Sequence, residues 1–171
     1  LTPMLAPDAM ICVVSANQAT TLTVVAEHWP AGRVFGLHPL FDSSARSAEG
    51  QTFLIVGEAE RDVTAAWLAD LIAVGGGISD SGSAADHDAI MGYVQTMTHQ
   101  ALIAFADAVT SSGLDLEHVW EARTPLFEGL FGLAVRALTE RQQATIADIQ
   151  LSMDGPGAAG ELGAATTRVR E

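Results

Sequence analysis

Short apolar, β-branched runs separated by longer stretches of helical period fill the first eighty positions of the chain. That alternation is the mark of an α/β arrangement. Three runs read as strands, Met10 to Val14, Arg33 to Leu37 and Thr52 to Val56, and a weaker fourth lies at Gly77 to Asp80. Between the third and fourth, Ala59 to Val74 reads as a helix, with Val63, Ala66, Trp67, Leu71 and Val74 spaced to form one apolar stripe. The run Gly75, Gly76, Gly77 closes that helix as a left-handed cap. A phosphate loop needs a strand before the glycines and a lysine after them, and neither is present.

After Ser83 the strand signals stop and only helices follow. Ser83, Ala84, Ala85, Asp86 opens like a helix cap, and that helix runs to about Ser111 before the break at Ser112 and Gly113. A short helix spans Leu116 to Ala122, and Pro125 opens a longer amphipathic segment, Leu126 to about Met153, with a break near Thr139. The pattern therefore predicts an α/β segment at 1–82, an all-α segment at 83–154 and a Gly/Ala-rich tail at 155–171. The tail is either disordered or ends in a short helix.

Charge narrows the partners. The formal net charge is −13, from 21 acidic residues against eight arginines and no lysine. Nucleic acids and anionic membranes attract clustered basic side chains, so neither is an expected partner. Any anionic ligand must be held by Arg33, Arg46, Arg61, Arg123, Arg136, Arg141, Arg168 or Arg170, or by backbone donors. No apolar stretch approaches the roughly 20 residues that cross a bilayer, and no signal-peptide pattern opens the chain, which suggests a cytoplasmic protein. The single cysteine, Cys12, lies in an apolar run and reads as a buried strand thiol.

Among the five histidines, His38 stands out because it follows a predicted buried strand directly and precedes Pro39. Open α/β sheets place their ligand sites at the carboxyl ends of strands, so His38 is a candidate for catalysis or binding; otherwise it is a loop residue packed on the sheet edge. His87 and His99 share a helix twelve residues apart, with Gln95 one turn before His99. That spacing is too wide for a zinc helix, so no metal site is expected. Asp86 and Asp88 flank His87 near the helix start and read as capping residues. His28 and His118 read as surface residues.

Together these pieces follow a known order. Phe35, Gly36, Leu37, His38, Pro39, Leu40, Phe41 resembles the strand and turn that carry the catalytic histidine of prephenate dehydrogenases. Farther on, Ala85, Asp86, His87, Asp88, Met91, Tyr93, Val94, Gln95 and His99 are similar to the start of that family's dimerisation helix. Ser15 falls where the family has the serine of an Asp-x-x-Ser-x-Lys segment. The resemblance covers about residues 1 to 150 and implies a partial Rossmann-like sheet followed by a helical dimerisation domain. It also implies oxidative decarboxylation of prephenate or a close analogue, in tyrosine or related aromatic biosynthesis. In that chemistry NAD or NADP takes a hydride from the ring carbon that bears the hydroxyl, a histidine accepts the hydroxyl proton, and loss of carbon dioxide aromatises the ring. By position the resemblance makes His38 the proton acceptor and Ser15 a catalytic residue that helps order the nicotinamide or the hydroxyl. His87, Gln95, His99, Arg123 and Asn17 become substrate-binding residues, and a homodimer forms through the helices.

The departures from that pattern concern cofactor and charge. The strand, Gly-x-Gly-x-x-Gly turn and helix that hold a dinucleotide are missing, so these residues alone bind neither NAD nor NADP in the usual way. Leu1 opens the chain in what reads as the helix before a strand, as expected of a fragment or of a protein that has lost its nucleotide half. Asn17 replaces the family's lysine, Glu128 aligns with its substrate-binding arginine, and Asp42 stands where a glycine follows the histidine turn. Two other functions fit the same residues. One is a divergent homologue acting without NAD(P) on a less anionic cyclohexadienyl compound, and the other is a non-catalytic dimeric interaction subunit.

Overall fold

The computed structural model describes residues 6, 9–29, 33–41, 44–57, 63–139, 146 and 157–169. Two compact units divide the chain between Ile90 and Met91.

The first unit is a mixed sheet with helices on both faces. Strands β1 (Ile11–Val14), β2 (Val34–Pro39), β3 (Thr52–Val56) and β4 (Ile78–Gly82) lie in the order β1-β2-β3-β4. β1 runs parallel to β2, β2 antiparallel to β3, and β3 parallel to β4. The expected β2 ended at Leu37; the strand instead continues through His38 and Pro39, which pair with Leu54 and Phe53. Pro39 is tolerated because the β1 pairing has already stopped at Leu37, so its missing N–H costs the ladder nothing.

Side chains alternate across the sheet, and each face has its own cover. Phe35 and Ile55 pack with Ala65 and Ile72 of helix α2 (Val63–Val74), and Leu37, Phe53, Leu68 and Ala69 close around them. Trp67, Leu71 and Val74, three of the five residues of the predicted stripe, are exposed instead. The helix is apolar nearly all the way round, so its period alone does not say which side meets the sheet. α2 ends as expected: Gly76 has φ of 75°, its N–H donates to Ala73, and the Gly77 N–H donates to Ile72. These are the paired bonds of a Schellman cap. Cys12, expected to be buried, lies on the exposed row of β1, an edge strand of this sheet.

On the opposite face lie Gly36 and His38. Helix α1 (Ala19–Ala26), which the sequence pattern does not announce, begins beside them. Its first neighbour, Gln18, is completely buried, and its amide Nε2 donates to the Ser15 and Leu37 carbonyls at 2.7 and 3.4 Å. The amide lies on Gly36. A Cβ at position 36 would stand 2.0 Å from Gln18 Oε1 and 3.1 Å from the Val56 Cβ, so the absent side chain makes room for the glutamine. Helix α3 (Ala84–Met91) starts at Ser83, whose hydroxyl accepts the Asp86 N–H and donates to the Asp86 carboxylate.

In the second unit a π-helical segment (Gly92–Met97) leads into α4 (Thr98–Thr110). α5 (Leu116–Glu121) and α6 (Pro125–Ala137) follow, with Asp115 and Thr124 as their side-chain caps. Phe127 of α6 meets Phe105 edge-on and stacks on Phe131, which also meets Trp120. Ile146 is helical and buried, and α7 (Gly157–Arg168) gives the tail the short helix that was one of its two expected states. The rest of the segment expected to reach Met153 lies outside the described residues.

Gly36→Ala is expected to destabilise the chain by about 1–3 kcal/mol, because the Gln18 amide is buried and hydrogen-bonded and has little room to yield. Gly82→Ala, where a Cβ meets nothing within 4 Å, serves as the control. Urea midpoints of the two variants should separate clearly.

Candidate active site

The sheet face that carries Gly36 also carries a buried polar cluster. His38 is 6% exposed and His87 only 4%. Their Nδ1 and Nε2 atoms lie 2.9 Å apart, with ring centroids at 5.1 Å and planes inclined by 59°. On its other side, His87 Nδ1 is 2.7 Å from Asp88 Oδ1. Asp88 does not stop there. Its two oxygens accept the N–H groups of Gln18 and Ala19 at 3.0 and 2.9 Å, so the carboxylate caps α1 from a distance of about seventy residues in sequence. The capping role read for Asp86 fits its own helix, whereas Asp88 caps a different one.

This chain of contacts explains the local sequence. α1 has no side-chain cap of its own at Gln18, and its first turn contains no acidic residue. An external carboxylate meets the exposed N–H groups and the positive end of the helix dipole together. Ser15 and Asn17 shape the turn from β1 into α1. The Ser15 hydroxyl donates to the Asn17 carbonyl at 2.8 Å and accepts the Asn17 N–H at 3.2 Å. The Asn17 carbonyl also accepts the Thr21 hydroxyl at 2.8 Å.

Burial, and secondarily the neighbouring His87, lower the His38 pKa from an ordinary 6.5 to about 4, while Asp88 pulls weakly the other way. At neutral pH His38 is therefore an uncharged imidazole, able to accept a proton or a hydrogen bond.

The sequence-predicted residues divide between the units. Ser15, Asn17, His38 and His87 belong to the first, where the structure brings His38 and His87 into direct contact. Gln95, His99 and Arg123 belong to the second. Gln95 sits half-buried in the π-helical segment. His99 is half-buried at the start of α4, and burial lowers its pKa. Arg123 lies between α5 and α6, with its guanidinium 4.4 Å from the centre of the Trp120 ring. It donates to Glu128 at 3.1 Å and to the Trp120 carbonyl at 2.9 Å. Thus Glu128, which the resemblance aligns with an arginine, is the partner of Arg123.

Gln18 and the long-range role of Asp88 escaped the sequence reading. A glycine inside an apolar strand marks the close approach of another group, and Gly36 is the signal that could have pointed to Gln18.

No family model matches the sequence, and no curated protein does. Solved structures do share the architecture. Prephenate dehydrogenase from A. aeolicus, solved with hydroxyphenyl propionate and NAD+, superposes with a TM-score of 0.73 at 14% identity, over 99% of this chain and 61% of that one. Its fold is that of part of a prephenate dehydrogenase. A putative prephenate dehydrogenase from Corynebacterium glutamicum gives 0.68 at 15% identity, over 96% of this chain and 55% of its own. Synechocystis arogenate dehydrogenase gives 0.62 at 15%, over 88% and 58%. The chain spans less than two thirds of the length of each. The resemblance carried by Gly36, Leu37, His38, Pro39 thus extends to the fold, including the partial sheet and the helices that follow it.

The described residues do not fit a dinucleotide pyrophosphate. Gly75 to Gly77 end a helix rather than open one, and the N-termini of α1 and α3 are occupied by Asp88 and by Ser83. Among the described residues no group of three or more His, Cys, Asp or Glu side chains is arranged to hold a metal ion, and no helix is long and apolar enough to cross a membrane.

The lowered pKa has a thermodynamic sign. Between about 6.5 and about 4 the unfolded chain holds a proton on His38 that the folded chain does not. The stability linked to this residue is therefore complete above about pH 6.5 and is lost as pH falls through about 4. Urea unfolding at pH 7, 5.5 and 4.5 should show the wild type losing stability more steeply than His38→Asn; parallel slopes would contradict the shift.

Proposed function

We propose that this chain is the catalytic portion of a prephenate dehydrogenase-like oxidoreductase, and that His38 accepts the ring hydroxyl proton of prephenate or a close cyclohexadienyl analogue. The observation that carries this reading is the buried, neutral His38 near the carboxyl end of β2, braced by His87. An imidazole of this kind is uncharged across the physiological range and sits where α/β sheets receive ligands. The fold shared with prephenate and arogenate dehydrogenases supports the same assignment.

Within it, Ser15 orders the turn beside the base, with Asn17 in the lysine position. His87 holds the base in place, and Gln95, His99 and Arg123 are the substrate-binding candidates of the helical unit. The hydride acceptor, NAD or NADP, requires a dinucleotide-binding portion that these 171 residues do not contain. The charge balance favours the less anionic members of the substrate class. Arg123 is engaged by Glu128, and a carboxylate, Asp88, lies one residue from His87. Leu126, Leu133 and Val135 expose apolar surface on α6, which supports self-association through the helices.

The test joins the chain to whatever coding sequence precedes Leu1 in frame and measures NAD(P) reduction with prephenate and with arogenate. Turnover is expected, with His38→Asn lowering kcat about 10²–10⁴-fold at little change in KM. A wild-type protein that binds neither nucleotide nor substrate would leave the non-catalytic interaction subunit as the better reading.

A further inference from the structure

The cluster around His38 has a direction. A carboxylate such as that of Asp88 accepts hydrogen bonds and donates none. Its contact with His87 Nδ1, at 2.7 Å, therefore requires the proton on that nitrogen. A neutral His87 then has a bare Nε2, which can only accept. Across the 2.9 Å contact the donor must be His38 Nδ1–H, and the lone pair of His38 is left on Nε2.

We propose that Asp88 is a positioning residue which, through His87, fixes the tautomer of His38 so that Nε2 is the proton-accepting nitrogen. The same carboxylate is held in place by the first N–H groups of α1, so the helix that packs on Gly36 also aligns the base. No proton leaves the cluster when His38 accepts one. The imidazolium formed carries protons on both nitrogens, keeps its Nδ1–H on His87, and returns the Nε2 proton to solvent after the product departs. Asp88 stays a carboxylate throughout. The catalytic consequence rests on the proton-acceptor reading of His38; the tautomer itself does not.

Asn in place of Asp88 keeps one oxygen for the α1 amides but can turn its NH₂ toward His87. His87 would then carry its proton on Nε2, donate to His38 Nδ1 and force the His38 proton onto Nε2. The corresponding change in a serine-protease triad lowers kcat about 10⁴-fold while leaving the geometry intact. His87→Gln should preserve the arrangement, because its amide presents an acceptor toward His38 and a donor toward Asp88.

Long-range proton–nitrogen spectra of the full chain labelled with ¹⁵N-histidine, at pH 7, read the tautomer directly. His38→Asn assigns the His38 signals by their disappearance. The expected result is Nδ1–H with a bare Nε2 for His38 in the wild type and in His87→Gln, and reversal in Asp88→Asn, with the amide spectrum confirming that each variant is folded. A wild-type His38 protonated on Nε2 overturns the proposal, as does a folded Asp88→Asn in which the His38 tautomer is unchanged. The wild-type spectrum decides the matter even if Asp88→Asn fails to fold. Because no turnover is read, a protein with the expected tautomer but no dehydrogenase activity would overturn the proposed function and leave this assignment standing.

Discussion

One carboxylate links two pieces of chain that have no local reason to meet. Asp88 satisfies the first amides of α1 and the Nδ1 of His87 at once, so the start of one helix, the middle of another and, through His87, His38 on β2 share a single anchor. Charge-assisted bonds of this kind are the stronger class of hydrogen bond, and here three converge on two oxygens. Without them α1 would begin with unmet donors against a buried glutamine, and His87 would lose the partner of its Nδ1.

This arrangement explains what could and could not be read along the chain. β1, β3 and the end of α2 were legible because the causes are local: β-branched runs for the strands, and glycine's access to positive φ for the Schellman cap. α1 was not legible. Its sequence, Ala19 to Ala26, is rich in threonine and valine, and its cap is supplied by a residue some seventy positions away. The inward face of α2 was misassigned because Ala65, Leu68, Ala69 and Ile72 form as good a stripe as Ala66, Trp67, Leu71 and Val74. Only the sheet decides between them.

The candidate site divides in the same way. His38 could be found from its place after an apolar run, and the family resemblance drew attention to His87. Their contact is a property of the fold, since the two are 49 residues apart and meet only because α3 packs on the face of β2 that carries Gly36. Asp88 was visible as an acidic residue near a helix start, but sequence proximity assigned it to the wrong helix. Gln18 had no signature of its own. Its importance is written at Gly36, in the volume that a side chain there would take from it.

His38 belongs to a strand rather than to the turn that follows it, and this has a mechanical consequence. Its backbone is tied into the ladder opposite Leu54, and its ring is closed in by His87. An imidazole mounted in this way cannot swing toward an incoming molecule as a loop residue can. Its reorganisation cost is met during folding, and any adjustment to a ligand would fall to the ligand and to the less constrained parts of the protein around a stationary imidazole.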